Sequence, residues 1–123
     1  MTARLVRLKT RADFLRVAAT RARVVRPGLI LQAAPQPGPG DAAARLRVGY
    51  TASRRVGNAV ARNRAKRRLR AVAAALLPRH GTDGMDYVLI ARAGTGTRPY
   101  AELLADLQGA LRQLARPHRA GEG

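Results

Sequence analysis

The sequence predicts an α+β fold, a two-layer α/β sandwich whose elements follow the order α-β-β-α-β-α. Short apolar runs bounded by Gly and Pro are typical of strands, and longer segments with one apolar stripe are typical of helices. The two kinds of segment are interleaved along the chain, whose 123 residues suit one compact domain. We therefore expect a small sheet with the helices packed on one of its faces.

The first half of the chain supplies one helix and two strands. Thr10 is a suitable N-cap for the first helix. The apolar run 28–34 is too short for a helix and predicts a strand. Pro and Gly alternate over 35–41, which predicts a loop. Over 45–53 apolar and polar residues alternate, and this pattern predicts a half-buried strand whose second face is polar and basic.

The second half begins with a longer helix. Asn58 is a good N-cap for it, and we expect it to end near Leu77 because Pro78 follows. The continuous apolar run 86–92 predicts a third strand. Pro99 then opens a last helix with a single leucine stripe.

The chain ends in a short polar segment that resembles a frayed terminus. We expect a single domain over 1–115 and a flexible tail over 116–123.

Charge is the strongest functional signal in the composition. Lys and Arg total 24 against seven Asp and Glu, giving a formal net charge of +17, and nearly all of the cations are arginine. Such an excess predicts a polyanionic partner, and the planar guanidinium favours phosphate groups and therefore nucleic acid. The chain has no cysteine, which excludes disulfides and thiol catalysis. No apolar run is long enough for a membrane helix, so we expect a cytoplasmic protein without a membrane partner.

The basic residues are concentrated at the start of the second helix, where residues 57–70 hold six cations and no acid. A helical wheel assigns one apolar stripe to the core, namely Ala65, Leu69, Val72, Ala73 and Leu76. On the side opposite the stripe it places Arg64, Arg67 and Arg68. Along one flank it places Arg62, Lys66 and Arg70. Same-sign neighbours on a helix repel, so the pattern predicts phosphate binding rather than a simple solvated face.

The type of nucleic acid follows less directly. No helix-turn-helix pattern accompanies the basic helix, as a major-groove DNA reader would need. Only four aromatic residues are present, too few for a broad base-stacking platform. Recognition of backbone and shape remains, which favours a structured RNA and leaves DNA open.

The stretch "SRRVGNAVARNRAKRRLR", residues 53–70, closely resembles the signature of the bacterial ribonuclease P protein subunit. The segments "RADFLRV", "RVGYTAS" and "DYVLIAR" stand in the order that this family shows. The resemblance implies a ribosomal-protein-like fold with a left-handed βαβ crossover. It also implies a noncatalytic subunit, one per catalytic RNA, in an endoribonuclease that removes 5′ leaders from precursor tRNA. The magnesium that this holoenzyme requires would belong to the RNA and its substrate, with no cofactor bound by the protein alone.

The resemblance assigns two sets of site residues. The contacts with the catalytic RNA would be Arg54, Arg55, Asn58, Arg62, Asn63, Arg64, Lys66, Arg67, Arg68 and Arg70. The cleft for the leader would contain Phe14, Arg47, Thr51 and Ser53. Relatives often have aromatics where this chain has Ala18 and Leu31, so Phe14 would carry more of the base stacking. The alternative for Phe14 is a core position on an amphipathic helix.

Two other functions remain open from the residues alone. A ribosomal or nucleoid structural protein would show the same charge. A nuclease in its own right would need clustered carboxylates or a histidine pair. The only close acids, Asp83 and Asp86, are expected to serve a loop and a strand start, and His80 and His118 lack an orienting partner. We therefore expect no catalytic residue and no metal ligand in the protein.

Overall fold

The computed structural model describes residues 5–37 and 46–115, which form one five-stranded sheet with three helices. The strands are β1 (Leu5–Arg7), β2 (Arg23–Val25), β3 (Leu29–Pro35), β4 (Leu46–Thr51) and β5 (Met85–Ala91). The helices are α1 (Arg11–Ala19), α2 (Ala59–His80) and α3 (Tyr100–Ala115), and a 3-10 turn, Arg54–Val56, precedes α2. The expected tail over 116–123 and the second half of the expected loop over 35–41 lie outside the described residues.

The strand order across the sheet is β1-β4-β5-β3-β2. β4 is parallel to both β1 and β5, whereas β3 is antiparallel to β5 and to β2. Helix α2 is the crossover between the parallel neighbours β4 and β5, as in the predicted βαβ unit. The α+β class is confirmed, and the predicted elements appear in the expected order. The edge strands β1 and β2 were not predicted, because three residues are too few to show a period.

The sheet carries a separate apolar cluster on each face. On one face, α2 and α3 pack over the main core, which includes Leu31 and Leu89. On the other face, α1 packs through a smaller cluster that includes Val17 and Val88. Leu89 and Val88 are neighbours in β5 and therefore point to opposite faces. The expectation that all helices lie on one face is wrong, because β5 is apolar on both faces and each face is covered.

The two predicted N-caps are confirmed. The Thr10 hydroxyl accepts a hydrogen bond from the Asp13 N–H at 3.2 Å, and Asn58 Oδ1 accepts one from the Ala61 N–H at 2.9 Å. Each cap satisfies one backbone donor that the first turn of a helix leaves without an intrahelical partner.

The expected end of α2 at Leu77 is wrong, because the helix continues through Pro78 to His80. Proline removes a single helical hydrogen bond, to the carbonyl of Ala74. Ala74 is exposed, so water can solvate that carbonyl. The Gly81 N–H then donates to the Leu77 carbonyl at 2.8 Å and closes the last turn.

Candidate nucleic-acid interface

The apolar stripe of α2 fixes which of its sides can face a ligand. Ala65, Leu69, Val72 and Ala73 are fully buried against the sheet and α3, as predicted. Leu77 completes the stripe, whereas Leu76 is only half-buried at its margin. Because this stripe is packed along its length, the helix is anchored and the remaining sides are available to solvent.

The turn before α2 sets where the helix begins. The Ser53 hydroxyl accepts a hydrogen bond from the Arg55 N–H at 3.3 Å and thus caps the 3-10 turn. Gly57 follows with a φ of 141°, in the region that favours glycine. Arg54 and Arg55 are exposed on this turn, next to the first turn of α2. Ser53 therefore has a local structural role in addition to its predicted place in the cleft.

Apart from Arg68, seven of the predicted RNA contacts are cations on α2 and on the turn before it. These residues, here called the α2 cations, are Arg54, Arg55, Arg62, Arg64, Lys66, Arg67 and Arg70. None of them forms an ion pair within residues 5–37 and 46–115. Asn63 is exposed among them, and Asn58 is exposed but uses its side-chain oxygen as the cap. The arrangement leaves seven positive charges on one helix and its preceding turn without a carboxylate from the described part of the chain.

Arg68 differs from the prediction that it projects away from the core. Its Nη1 and Nη2 donate to the carbonyl oxygens of Thr95 and Arg98, each at 2.6 Å. Arg68 follows buried Ala65 by three residues and precedes buried Val72 by four, so it borders the apolar stripe instead of opposing it. Its guanidinium therefore holds the loop between β5 and α3 and is not among the free cations.

Arg47 has a structural partner that the sequence did not predict. Its Nε and Nη2 donate to the two carboxylate oxygens of Asp86 at 2.7 and 2.6 Å. Asp86 is fully buried and lies opposite Arg47 in the register of β4 and β5. Arg16 of α1 donates to the same carboxylate. Asp86 thus joins α1 to the sheet, a role that its expected place at a strand start did not indicate.

The charges in this ion cluster stabilise one another. Hydrogen bonds to Asp86 raise the pKa of Arg47 above its ordinary value, although partial burial acts in the opposite direction. The hydroxyl of Thr10, followed by Arg16 and Arg47, holds the pKa of Asp13 below its ordinary value despite partial burial of that carboxyl. The cluster ties α1 to β4 and β5 through Asp13, Arg16, Arg47 and Asp86.

Phe14 lies on the sheet at Gly49 of β4. A Cβ at Gly49 would come within 2.5 Å of ring carbons of Phe14, so only glycine permits this contact. Phe14 is half-buried and packs against the smaller cluster, which agrees with part of the core alternative. It also lines an open pocket, but the other residues of the predicted cleft, Arg47, Thr51 and Ser53, do not line it. Thr51 lies on the same face of β4, two residues beyond Gly49.

This Phe14 pocket has a volume of about 170 Å³ and is lined by Arg7, Leu8, Phe14, Tyr50, Lys66 and Arg70. Three of these six residues are cations, and two of them come from α2. Burial raises the pKa of the Tyr50 hydroxyl, while Arg7 and Arg70 act in the opposite direction. The sequence did not indicate Arg7 or Tyr50, because β1 had no visible pattern and Tyr50 alternates with the core side of β4.

The two positions at which the resemblance predicts aromatics are separated by the sheet. Ala18 is exposed, one turn after Phe14 on α1. Leu31 is fully buried in the main core, on the opposite face of the sheet from Phe14. The residue at position 31 therefore belongs to the core in this chain and does not line the Phe14 pocket.

The described residues offer neither a metal cluster nor a membrane span. Over residues 5–37 and 46–115, no three His, Cys, Asp or Glu side chains are grouped so that they would hold a metal ion. Within the same ranges, no helix is long and apolar enough to cross a membrane.

Comparison with known proteins agrees with this geometry, since residues 2–115 match the family model described as Ribonuclease P. The chain belongs to the ribonuclease P protein family. It is 57% identical to a ribonuclease P protein component of Paramagnetospirillum magneticum, over 93% of this chain and 86% of the relative. It is 50% identical to the corresponding protein of Ruegeria pomeroyi, over 89% and 86% of the two chains.

Solved structures of ribonuclease P proteins have the same fold. The Staphylococcus aureus protein matches with a TM-score of 0.71 at 24% identity, over 89% of this chain and 94% of that one. The Thermotoga maritima protein also matches with a TM-score of 0.71, at 21% identity, over 87% and 96%. Membership of this ribonuclease P family makes the chain an RNA-binding protein of tRNA processing, part of an endoribonuclease complex and associated with ribonuclease P RNA.

Proposed function

We propose that this chain binds the catalytic RNA of ribonuclease P through the α2 cations and the 5′ leader of precursor tRNA through the Phe14 pocket. One protein serves each RNA and aids endonucleolytic removal of the leader. Catalysis resides in the RNA, and the magnesium ions of the reaction are held by the RNA and its substrate. The single observation that carries the proposal is the set of seven cations on α2 and its preceding turn with no protein counter-ion among the described residues.

The distribution of acids supports a ligand at α2. The carboxylates that form ion pairs lie on α1, β5 and α3, and their partners are Arg16, Arg47 and Arg98. All of these pairs are remote in sequence from the outward side of α2. Clustered cations on an anchored helix suit the negative charge of an RNA backbone, whose counter-ions are released when its phosphates bind them.

The Phe14 pocket supports a second, single-stranded ligand. It joins an aromatic ring on α1 to Lys66 and Arg70 on α2 and to Arg7 on β1. Single-stranded RNA is commonly bound by aromatic rings that stack on bases beside cations that follow the backbone. A leader that passes along β4 would place a base on Phe14 and its phosphates between α1 and α2. Arg47 then acts on the leader through the structure that it stabilises, whereas exposed Ser53 keeps its predicted place in the cleft beside its capping role.

Reconstitution tests the whole proposal. The protein is added to a ribonuclease P RNA and precursor tRNA at a magnesium concentration where the RNA alone is slow. We expect the rate of 5′ cleavage to rise, while protein without the RNA cleaves nothing. Cleavage no faster than with the RNA alone would refute the proposed function. Cleavage by the protein alone would show that catalysis does not reside in the RNA, contrary to the proposal.

The salt dependence of RNA binding tests the surface. If six cations neutralise phosphates, the slope of log K against log salt is about −5. Replacing Arg64 and Arg67 with alanine should make the slope less negative by about 2. The matched control removes two exposed arginines elsewhere, Arg21 and Arg112, with the same change in net charge. Equal slopes for the two double variants would show that the outward side of α2 is not the contact.

A further inference from the structure

A second depression lies at the N-terminal end of α2 and shares no lining residue with the Phe14 pocket. Its volume is about 470 Å³. One wall is formed by Val56, Val60 and Arg64, and the other by Ala93, Gly96 and Thr97 of the loop between β5 and α3. Small-ligand sites commonly have volumes of about 300–1,000 Å³. We call this depression the Gly96 groove.

The loop wall of the groove is held in place by the protein itself. Arg68 donates to the carbonyls of Thr95 and Arg98. The buried Thr95 hydroxyl accepts from the Arg92 N–H and donates to the Gly28 carbonyl, both at 2.7 Å. These bonds fix the loop to α2 on one side and to the start of β3 on the other. The groove is therefore formed before any ligand arrives, which lowers the entropic cost of binding.

Gly96 has no explanation within the described chain. Its backbone does not adopt a positive φ, which among the described residues is confined to Gly57 and Gly84. A Cβ at Gly96 would meet no atom within 4 Å. Glycine is also selected where the backbone must be approached closely by a ligand. Gly96 lines the groove, so its lack of a side chain leaves the backbone there open to close approach.

The facing wall combines apolar surface with positive charge. Val60 is 76% exposed, the highest value among the exposed large hydrophobic residues of the described chain. Arg64 lies one turn further along α2 and is one of the α2 cations. No acidic residue lines the groove. An apolar surface beside a guanidinium suits an unstacked nucleobase with its phosphate, and it is continuous with the surface proposed to bind RNA.

We propose that the Gly96 groove receives one unstacked nucleotide of the ribonuclease P RNA. The base lies against Val60, the phosphate contacts Arg64, and the sugar-phosphate backbone passes close to Gly96. This inference rests on the proposed function, because it takes the RNA bound by α2 as the ligand. It adds the loop between β5 and α3 as the second wall of that interface.

A pair of glycine variants in the same loop tests the inference. Gly96→Val adds a side chain to the lining of the groove, whereas Gly94→Val adds the same side chain outside it; neither Cβ meets another atom within 4 Å. Binding is measured with the ribonuclease P RNA of Paramagnetospirillum magneticum, whose protein component is 57% identical to this chain. We expect roughly tenfold weaker binding for Gly96→Val, of the order of one lost base contact, and little change for Gly94→Val.

Chemical probing of the RNA locates the nucleotide. Acylation of 2′-hydroxyls should reveal one or two positions that the wild-type protein and Gly94→Val protect and that Gly96→Val leaves reactive. Val60→Ser removes apolar surface without adding bulk, and we expect it to expose the same positions. Its control is Val25→Ser, at a valine on β2 that is 53% exposed and outside the groove.

The outcomes separate this inference from the proposed function. Equal affinities and identical protection for the two glycine variants would overturn the inference, while wild-type binding would leave the proposed function intact. No binding of the RNA by the wild-type protein would overturn both. Circular dichroism verifies that each variant folds. If Gly96→Val does not fold, the comparison of Val60→Ser with Val25→Ser decides, and equal protection by those two proteins overturns the inference.

Discussion

Replacing Asp86 with asparagine removes the charge that joins α1 to the sheet. The Asp86 carboxylate is fully buried and accepts hydrogen bonds from Arg47 at 2.7 and 2.6 Å and from Arg16. Asparagine has nearly the same shape but no charge and only one acceptor oxygen. The two guanidinium groups would then face each other with only the more distant Asp13 to balance them.

The cost of Asp86→Asn follows from the burial of the partners. Removing one member of a buried ion pair destabilises a protein by about 3–5 kcal/mol. The side chains of Arg16 and Arg47 are 29% and 23% exposed and can partly rehydrate, so we expect the lower end of that range, about 3 kcal/mol. At about 4 °C per kcal/mol for a domain of this size, Tm should fall by roughly 12 °C.

Thermal unfolding followed by far-ultraviolet circular dichroism, with sulfate present to balance the net charge, measures this change. The control is Asp83→Asn, which alters the net charge equally at an exposed position that forms no ion pair with the described residues. We expect less than about 0.5 kcal/mol for this control. Equal Tm values for the two variants would refute the argument that the ion cluster holds α1 on the sheet.

Three further predictions concern the surroundings of the two sites. Gly49→Ala would place a Cβ within 2.5 Å of the Phe14 ring, so we expect weaker binding of precursor tRNA but unchanged binding of mature tRNA in the holoenzyme, compared by competition. Arg68→Ala should lower stability by about 1.5–3 kcal/mol, since two charged hydrogen bonds to the loop are lost, yet leave the salt slope of RNA binding unchanged. A slope reduced by about one would instead make that guanidinium a phosphate contact. The pKa of Asp13 is lower in the folded state than in the unfolded state, so its stabilisation is complete at neutral pH and is lost as the pH falls from about 5 through the folded pKa. Thr10→Val removes the main cause of that low pKa, so we expect Tm to fall less steeply as the pH is lowered below about 5. An equally steep fall would show that the Thr10 hydroxyl does not lower the pKa of Asp13.

Local pattern was sufficient for most of the fold. Alternation identified β4, the apolar runs identified β3 and β5, and the caps at Thr10 and Asn58 are where the sequence predicts them. These features depend on residues within one or two turns of each other. Local pattern did not predict which side of the sheet α1 covers. That side depends on which faces of β3 and β5 remain apolar after α2 and α3 have packed.

The contacts at the site that the sequence did not predict have a similar origin. Arg47 and Asp86 are 39 residues apart in the chain, and Arg16 and Asp86 are 70 apart, so only the register of the sheet brings them together. Arg47 is a basic residue on the polar face of a strand, and this pattern predicts a ligand contact. The sequence does not show that its partner is the buried Asp86 carboxylate. Arg68 shows the converse case, in which a small shift on the helical wheel gives a predicted phosphate contact the role of anchoring a loop as well.

One helix contributes to both proposed RNA surfaces, and this constrains how they work together. Lys66 and Arg70 on the flank of α2 line the Phe14 pocket, whereas Arg64 and Arg67 are exposed on its outward side. A helix of 22 residues is about 33 Å long and does not bend easily while its apolar stripe is packed. If the proposed function holds, the leader and the catalytic RNA are therefore held at a fixed separation by the protein. A substitution in the buried stripe, such as Leu69→Ala, leaves every cation in place but lets the helix shift. We expect it to weaken leader-dependent cleavage more than it weakens RNA binding. RNA binding tolerates a shifted helix, whereas cleavage depends on the separation between the leader and the catalytic RNA.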